Sequence, residues 1–325
     1  MIERTLIHRL ACMLIVIMPI TLYSQRVPTE MENINYLVTF GKKGKASWGD
    51  DDYNQTFFFV VPESYKRDIF IRIFDPDVGG RIDEQNGSFD TQTRFSVYGG
   101  RGCYTHPDAR KVNPVGAYNS GSLLDSRTFS AEAEYDGKWY TFGPFNIYEG
   151  ERVPELGGYI FKLIADGQGG DDGNLYYYYL SESSRENKAI EGANAFTFEY
   201  TLRIENGQDA VLHIFPYIPN GVTAITQYNF DFDRGGSMVL YSSAKYYNRV
   251  KMSGDNQWAS SRHPITEAER NGSIDIQIVS SGVRNNNMVF YITNEYENPI
   301  AVFNIPIGGA PRYKYNAKVL YKERR

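Results

Sequence analysis

The sequence predicts an all-β protein: two consecutive β-sandwiches of jelly-roll or immunoglobulin-like type, preceded by an export signal. Aromatic residues make up 15% of the chain, as 26 Tyr, 19 Phe and 3 Trp, and such side chains fit the pleated, half-buried surface of a sheet. Short apolar or alternating runs recur with turn residues between them, which is the period of strands and not of helices. The turns are supplied by 30 Gly and 14 Pro. No repeat at roughly 20 to 50 residues stands out, which argues against solenoids and propellers.

Residues 1–24 read as a signal peptide. Arg4, His8 and Arg9 precede an apolar run, Leu10 to Ile20, that is too short to span a bilayer. Cys12 stands near the start of that run, with most of the apolar residues after it instead of before it, which argues against a lipoprotein. Cleavage near Gln25 leaves Cys103 as the one cysteine, so no intramolecular disulfide is expected. Removing Arg4, Arg9 and Glu3 takes the formal charge from −5 to −5 − 1 = −6. With a pI near 5.5, this excludes a general nucleic-acid binder, which needs clustered Lys and Arg.

In the first domain, residues 25–182, strands are expected at Gln55–Val61, Asp68–Phe74, Thr93–Tyr98, Thr128–Tyr135, Lys138–Phe142, Tyr159–Ala165 and Leu175–Ser181. Asp136-Gly137 suits the positive φ angles of a tight hairpin turn, joining AEAEY to KWYTF. The polar stretch 183–194 reads as a linker. In the second domain, 195–325, strands are expected at Ala195–Ile204, Ala210–Tyr217, Ala224–Phe232, Ser237–Ser242, Ser273–Ser280, Asn287–Asn294, Ile300–Ile305 and Tyr313–Tyr321. A short helical turn, capped by Thr266, is expected within Pro264–Arg270.

The most informative stretch is Asp75 to Asn86, DPDVGGRIDEQN. Calcium takes several hard oxygen ligands, and carboxylates at positions 1, 3 and 9 with a glycine at 6 can wrap one ion. Those positions hold Asp75, Asp77, Asp83 and Gly80. Position 12 is Asn86 rather than a bidentate Glu, and strands flank the loop, so this is no EF-hand. The same residues also suit Asx turns around Pro76. A second loop, DGQGGDDGN at Asp166–Asn174, offers Asp171, Asp172 and Asn174 as metal ligands. Asp50–Asp52 is a third cluster, for which a solvated turn is the simpler reading. If the loops meet at one end of a sandwich, their carboxylates form one site.

FFFVV, DIFIRIFDPDVGG, FDTQTRFSVYGG and GGYIFKLIADGQGGDDGNLYYYYLS together resemble the bacterial pre-peptidase C-terminal type of jelly-roll module. The resemblance covers about residues 48–182. It implies a calcium-binding, non-catalytic sandwich of the kind attached to secreted enzymes, with Asp75, Asp77, Asp83 and Asp171 as ligands. No recognisable peptidase domain accompanies it here, and the second domain resembles no family.

Catalytic signals are poor. His106, His213 and His263 lie in no HExxH pattern, and GxSxG elbows, P-loops and dinucleotide fingerprints are missing from the sequence. His213 inside VLHIF reads as a strand-face residue, and Cys103 as a buried loop thiol. Tyr176 to Tyr179 is a run of four, so two rings point to each face of a strand. Tyr176, Tyr178 and Trp139 are candidates for a ligand-binding platform.

Together these features lead to an exported, non-catalytic protein, periplasmic, outer-membrane associated or extracellular. Its first domain would be calcium-stabilised, and it would bind a glycan or an envelope or surface protein. A secreted glycosidase-like hydrolase using loop carboxylates and a structural subunit of a surface assembly are the alternatives.

Overall fold

The computed structural model describes residues 25–112, 118–204, 211–232, 235–280 and 286–308. The expected signal peptide and the strand Tyr313–Tyr321 lie outside them. Among the described residues the chain forms two large antiparallel sheets, of nine and twelve strands, and helical structure is confined to short 3-10 turns. No described helix is long and apolar enough to cross a membrane.

The nine-stranded sheet runs Trp258–Pro264, Ala224–Phe230, Asn286–Asn294, Glu199–Ile204, Leu37–Phe40, Gly173–Ser181, Ile69–Phe74, Trp139–Phe145, with Arg26–Val27 beside Gly173–Ser181. The other runs Asn248–Val250, Gly236–Tyr241, Asp275–Ser280, Val211–Ile218, Val302–Phe303, Asn194–Thr197, Asn54–Pro62, Gly158–Gly169, Gln92–Gly99, Ser122–Phe129, with two short side strands. The two strand series are thus joined edge to edge. Leu37 pairs with Leu202 in one sheet, and Phe58 pairs with Phe196 in the other. One apolar core lies between the sheets and takes residues from Val27 to Val302.

The fully apolar run FFFVV follows from its position. Phe57, Phe59 and Val61 enter this core, while Phe58 and Val60 join a second cluster with Ala109, Phe196, Phe198 and Phe303. A strand covered on both faces has no polar alternation. Glu32 ties the segment after Gln25 into the same core: it accepts hydrogen bonds from Thr29 N at 2.7 Å and Tyr200 Oη at 2.5 Å. Its burial pushes its carboxyl up to about 8, against the lowering effect of the Tyr200 and Thr29 hydrogen bonds.

Two local expectations fail. Residues 131–135 form a turn, not a strand, and Asp136-Gly137 closes no hairpin: Ser122–Phe129 pairs with Gln92–Gly99, whereas Trp139–Phe145 pairs with Ile69–Phe74 in the opposite sheet. Arg127 holds the crossing in place by donating to Glu132 Oε2 and Tyr135 Oη, both at 2.9 Å. The single run expected at Ala195–Ile204 is two strands, Asn194–Thr197 and Glu199–Ile204, in different sheets. Thr197 Oγ1 bridges the step by donating to Thr56 O or Glu199 O, each at 2.6 Å. Thr266 does start a one-turn 3-10 helix, Glu267–Glu269.

Candidate metal centre

The loop after Ile69–Phe74 begins with Asp75 at φ 56, a left-handed conformation that Asp tolerates better than most residues. Its amide donates to Lys138 O at 2.8 Å, and its Oδ1 accepts from Gly137 N at 2.6 Å. The turn that failed as a hairpin therefore serves as the wall of this loop. Asp83 closes the loop from the other side, accepting from Gly79 N at 2.6 Å and from Leu175 N at 2.7 Å. Glu84 and Gly173 exchange both backbone hydrogen bonds at 2.9 Å. That pairing brings in Asn174, whose Nδ2 donates to Pro76 O at 3.0 Å.

This construction leaves Asp75 Oδ2, Asp77 Oδ1 and Asn174 Oδ1 buried without a hydrogen-bond partner, on side chains no more than 1% exposed. Buried polar atoms are nearly always paired, so three unpartnered oxygens from one loop and its neighbouring strand mark a place where a cation or an ordered water would satisfy them. Burial, then the charges of Asp77 and Asp136, pushes the Asp75 carboxyl up to about 7, against the lowering effect of the Gly137 amide. Burial and Asp136 push Asp77 to about 6. Asp83 is also raised, by burial first and by Asp75 and Asp77 after it. Asp75, Asp77, Asp83 and Asp136 border one loop together with the Asn174 amide, oxygens of the kind a hard divalent cation takes. No three of these carboxylates, however, bring ligand oxygens within 4.8 Å of one another, a spacing met among the described residues only by Asp90, Asp171 and Asp172.

Asp136 is the member that sequence reasoning missed, because its pairing with Gly137 was absorbed by the turn signal. Its carboxylate lies against Gly80, where a Cβ would stand 2.1 Å from Asp136 Oδ1 at a φ of +72. Gly87 has a similar φ of +84 with no heavy atom within 4 Å of its Cβ position. Either alanine pays about 1–2 kcal/mol for the left-handed backbone, but only Gly80→Ala also displaces a carboxylate. Gly80→Ala is therefore expected to lower urea stability clearly more than Gly87→Ala, and equal losses would show that Asp136 moves aside freely.

The other predicted ligands go elsewhere. Asp171 and Asp172 gather with Asp90, their carboxylate oxygens within 4.8 Å of one another. Asp172 is already committed: Oδ1 accepts from Asn86 N at 2.8 Å, and Oδ2 from Asp90 N at 2.9 Å and Thr91 N at 3.2 Å. It clamps the 86–91 backbone, and this cluster carries no orphaned oxygen that asks for an ion. The third cluster is a cap as well, with Asp50 accepting from Phe40 N at 2.7 Å and Tyr53 N at 2.8 Å. So the first two loops adjoin, but the three do not share one site.

The ligand platform is corrected in two steps. Tyr176 and Tyr178 are wholly buried on the core face of their strand, Tyr176 with its hydroxyl 2.6 Å from Thr39 Oγ1, so neither can meet a ligand. The outward pair is Tyr177 and Tyr179, with Trp139 beside Tyr177 at 5.3 Å. Yet Tyr177 is stacked on Phe74 at 4.6 Å and covered by Arg26 at 4.1 Å, and Arg72 lies 4.8 Å over Trp139. These ring faces already have partners.

His213 sits 2.9 Å from Asp275 Oδ1 and stacks on Phe215, the satisfied strand-face residue expected. Cys103 is buried, and burial pushes its thiol up to about 12, far from a nucleophile's range. No protein-family model matches the chain, and a search of curated proteins finds no relative.

Proposed function

We propose that this is an exported, non-catalytic β-sandwich protein whose loop Asp75–Asp83 folds around a calcium ion and whose surface binds a glycan or surface protein at the cell envelope. The observation that carries the ion is the set of three orphaned, buried oxygens of Asp75, Asp77 and Asn174. Asp83 and Asp136 supply further charge. The resemblance of residues 48–182 to pre-peptidase C-terminal modules implies the same ion, and the export reading rests on the leader-like residues 1–24.

An ion that binds only the folded form stabilises it by mass action, about 2.7 kcal/mol at a hundredfold excess over Kd. For a protein of this size, whose unfolding entropy scales with length, that corresponds to about 4 °C in melting temperature. Melts at pH 7.5 in chelator and in saturating calcium are expected to differ by that amount. Coincident midpoints would remove the ion from the proposal.

A further inference from the structure

On the outer face of the nine-stranded sheet, Tyr228 and Tyr291 are register partners on neighbouring strands, their rings stacked at 4.6 Å and 15°. They line a cleft of about 750 Å³ together with Arg110, Thr293, Glu297 and Asn298. That volume lies within the range of small-molecule sites, roughly 300–1,000 Å³.

Three features of this cleft point to a ligand. Thr293 is only 5% exposed, and its hydroxyl has no hydrogen-bond partner. Arg110 lies 5.6 Å over the Tyr104 ring but makes no ion pair among the described residues, whereas its neighbour Lys111 is held by Asp108 at 2.7 Å. Among the described residues no cation covers the Tyr228 or Tyr291 ring, in contrast to Tyr177 and Trp139. A stacked tyrosine pair offers an apolar surface to the C–H face of a sugar ring. The guanidinium fork matches a carboxylate, and Thr293, Asn298 and Glu297 match hydroxyls.

We propose that this cleft binds a saccharide bearing a carboxylate, such as a hexuronic acid unit, with the ring on Tyr228 and Tyr291 and the carboxylate on Arg110. This rests on the reading of the protein as a binding module and names its ligand class, but it does not depend on the ion in the Asp75 loop.

The test is calorimetric titration of the calcium-loaded protein with trigalacturonate, with the corresponding neutral galactose trimer, and with a short polyglutamate. Trigalacturonate is expected to bind and the other two at least about tenfold more weakly. Losing a hydrogen bond to a charged group lowers affinity by about tenfold, and that loss is expected for Arg110→Gln with trigalacturonate. Tyr228→Ala is expected to weaken it similarly, and both variants should keep the wild-type calcium-dependent melting temperature. The proposal is overturned by absence of binding at millimolar trigalacturonate, by equal affinity for the neutral trimer or polyglutamate, or by Arg110→Gln binding as wild type. A calcium response that survives such a failure leaves the metal reading intact, and loss of that response with saccharide binding retained does the reverse.

Discussion

In chelator, the melting temperature is expected to rise as pH falls from 8 to 5, and saturating calcium is expected to reverse that slope. Asp75 and Asp77 have carboxyls raised to about 7 and about 6, above the ordinary 3.8, chiefly by burial. A group whose folded pKa is raised holds its proton more tightly in the folded state. Its stabilising contribution is fully present below about pH 4 and is lost as pH rises through about 7. A tenfold difference in proton affinity between the folded and unfolded chain corresponds to about 1.4 kcal/mol. Allowing for solvent that reaches the loop, the pair contributes on the order of 2–3 kcal/mol across this window. Glu32, raised to about 8, and Asp50, raised to about 7, act in the same direction. Calcium competes with those protons, so its stabilisation is greatest above pH 7 and fades toward pH 5.

The double variant Asp75→Asn/Asp77→Asn separates the ion from simple burial. Asn tolerates the left-handed backbone of residue 75 and brings no charge to desolvate. In chelator at pH 7.5 the variant is therefore expected to melt a few degrees above wild type, and in calcium below it. Opposite signs in the two buffers are hard to produce by a packing defect. A variant that melts lower in both would show that these carboxylates stabilise the loop without an ion.

The legible part of this site was the spacing of Asp75, Asp77 and Asp83, which local chain geometry brings to one loop, and Asn174, whose strand borders it. What the sequence could not reveal was commitment. Asp172 has the same chemistry as Asp77, yet three backbone amides already occupy it. Those amides are more than 80 positions away, on a loop whose path no local pattern encodes. Parity limited the tyrosines in the same way: alternation in Tyr176–Tyr179 showed that two rings face each way, but not which two face the core. The jump between sheets at Phe198 was hidden because Phe196, Phe198, Tyr200, Leu202 and Ile204 keep an unbroken alternation through it. Trp258–Pro264 was hidden for the opposite reason, since an edge strand with Ser260, Ser261 and Arg262 lacks the apolar face that marks a strand.

Phe57→Ala is expected to destabilise the whole protein by about 3–5 kcal/mol, the usual cost of removing a buried phenylalanine ring. Phe57 is wholly buried and meets Tyr178 edge-on at 5.6 Å and Tyr200 at 5.4 Å. The first partner belongs to the strand series before residues 183–194 and the second to the series after it. A cavity between them removes contacts from both at once. With both sheets continuous across that stretch and one core between them, the halves are expected to unfold in a single step. Trp139 reports on the first series and Trp258 on the second, so single-tryptophan forms followed by fluorescence in urea provide the measurement. The two probes should give the same midpoint in the parent, and Phe57→Ala should move both to lower urea by the same amount. Separate midpoints, or a shift confined to the Trp139 probe, would mean that the edge-to-edge strand pairs transmit little energy and that each half carries its own stability.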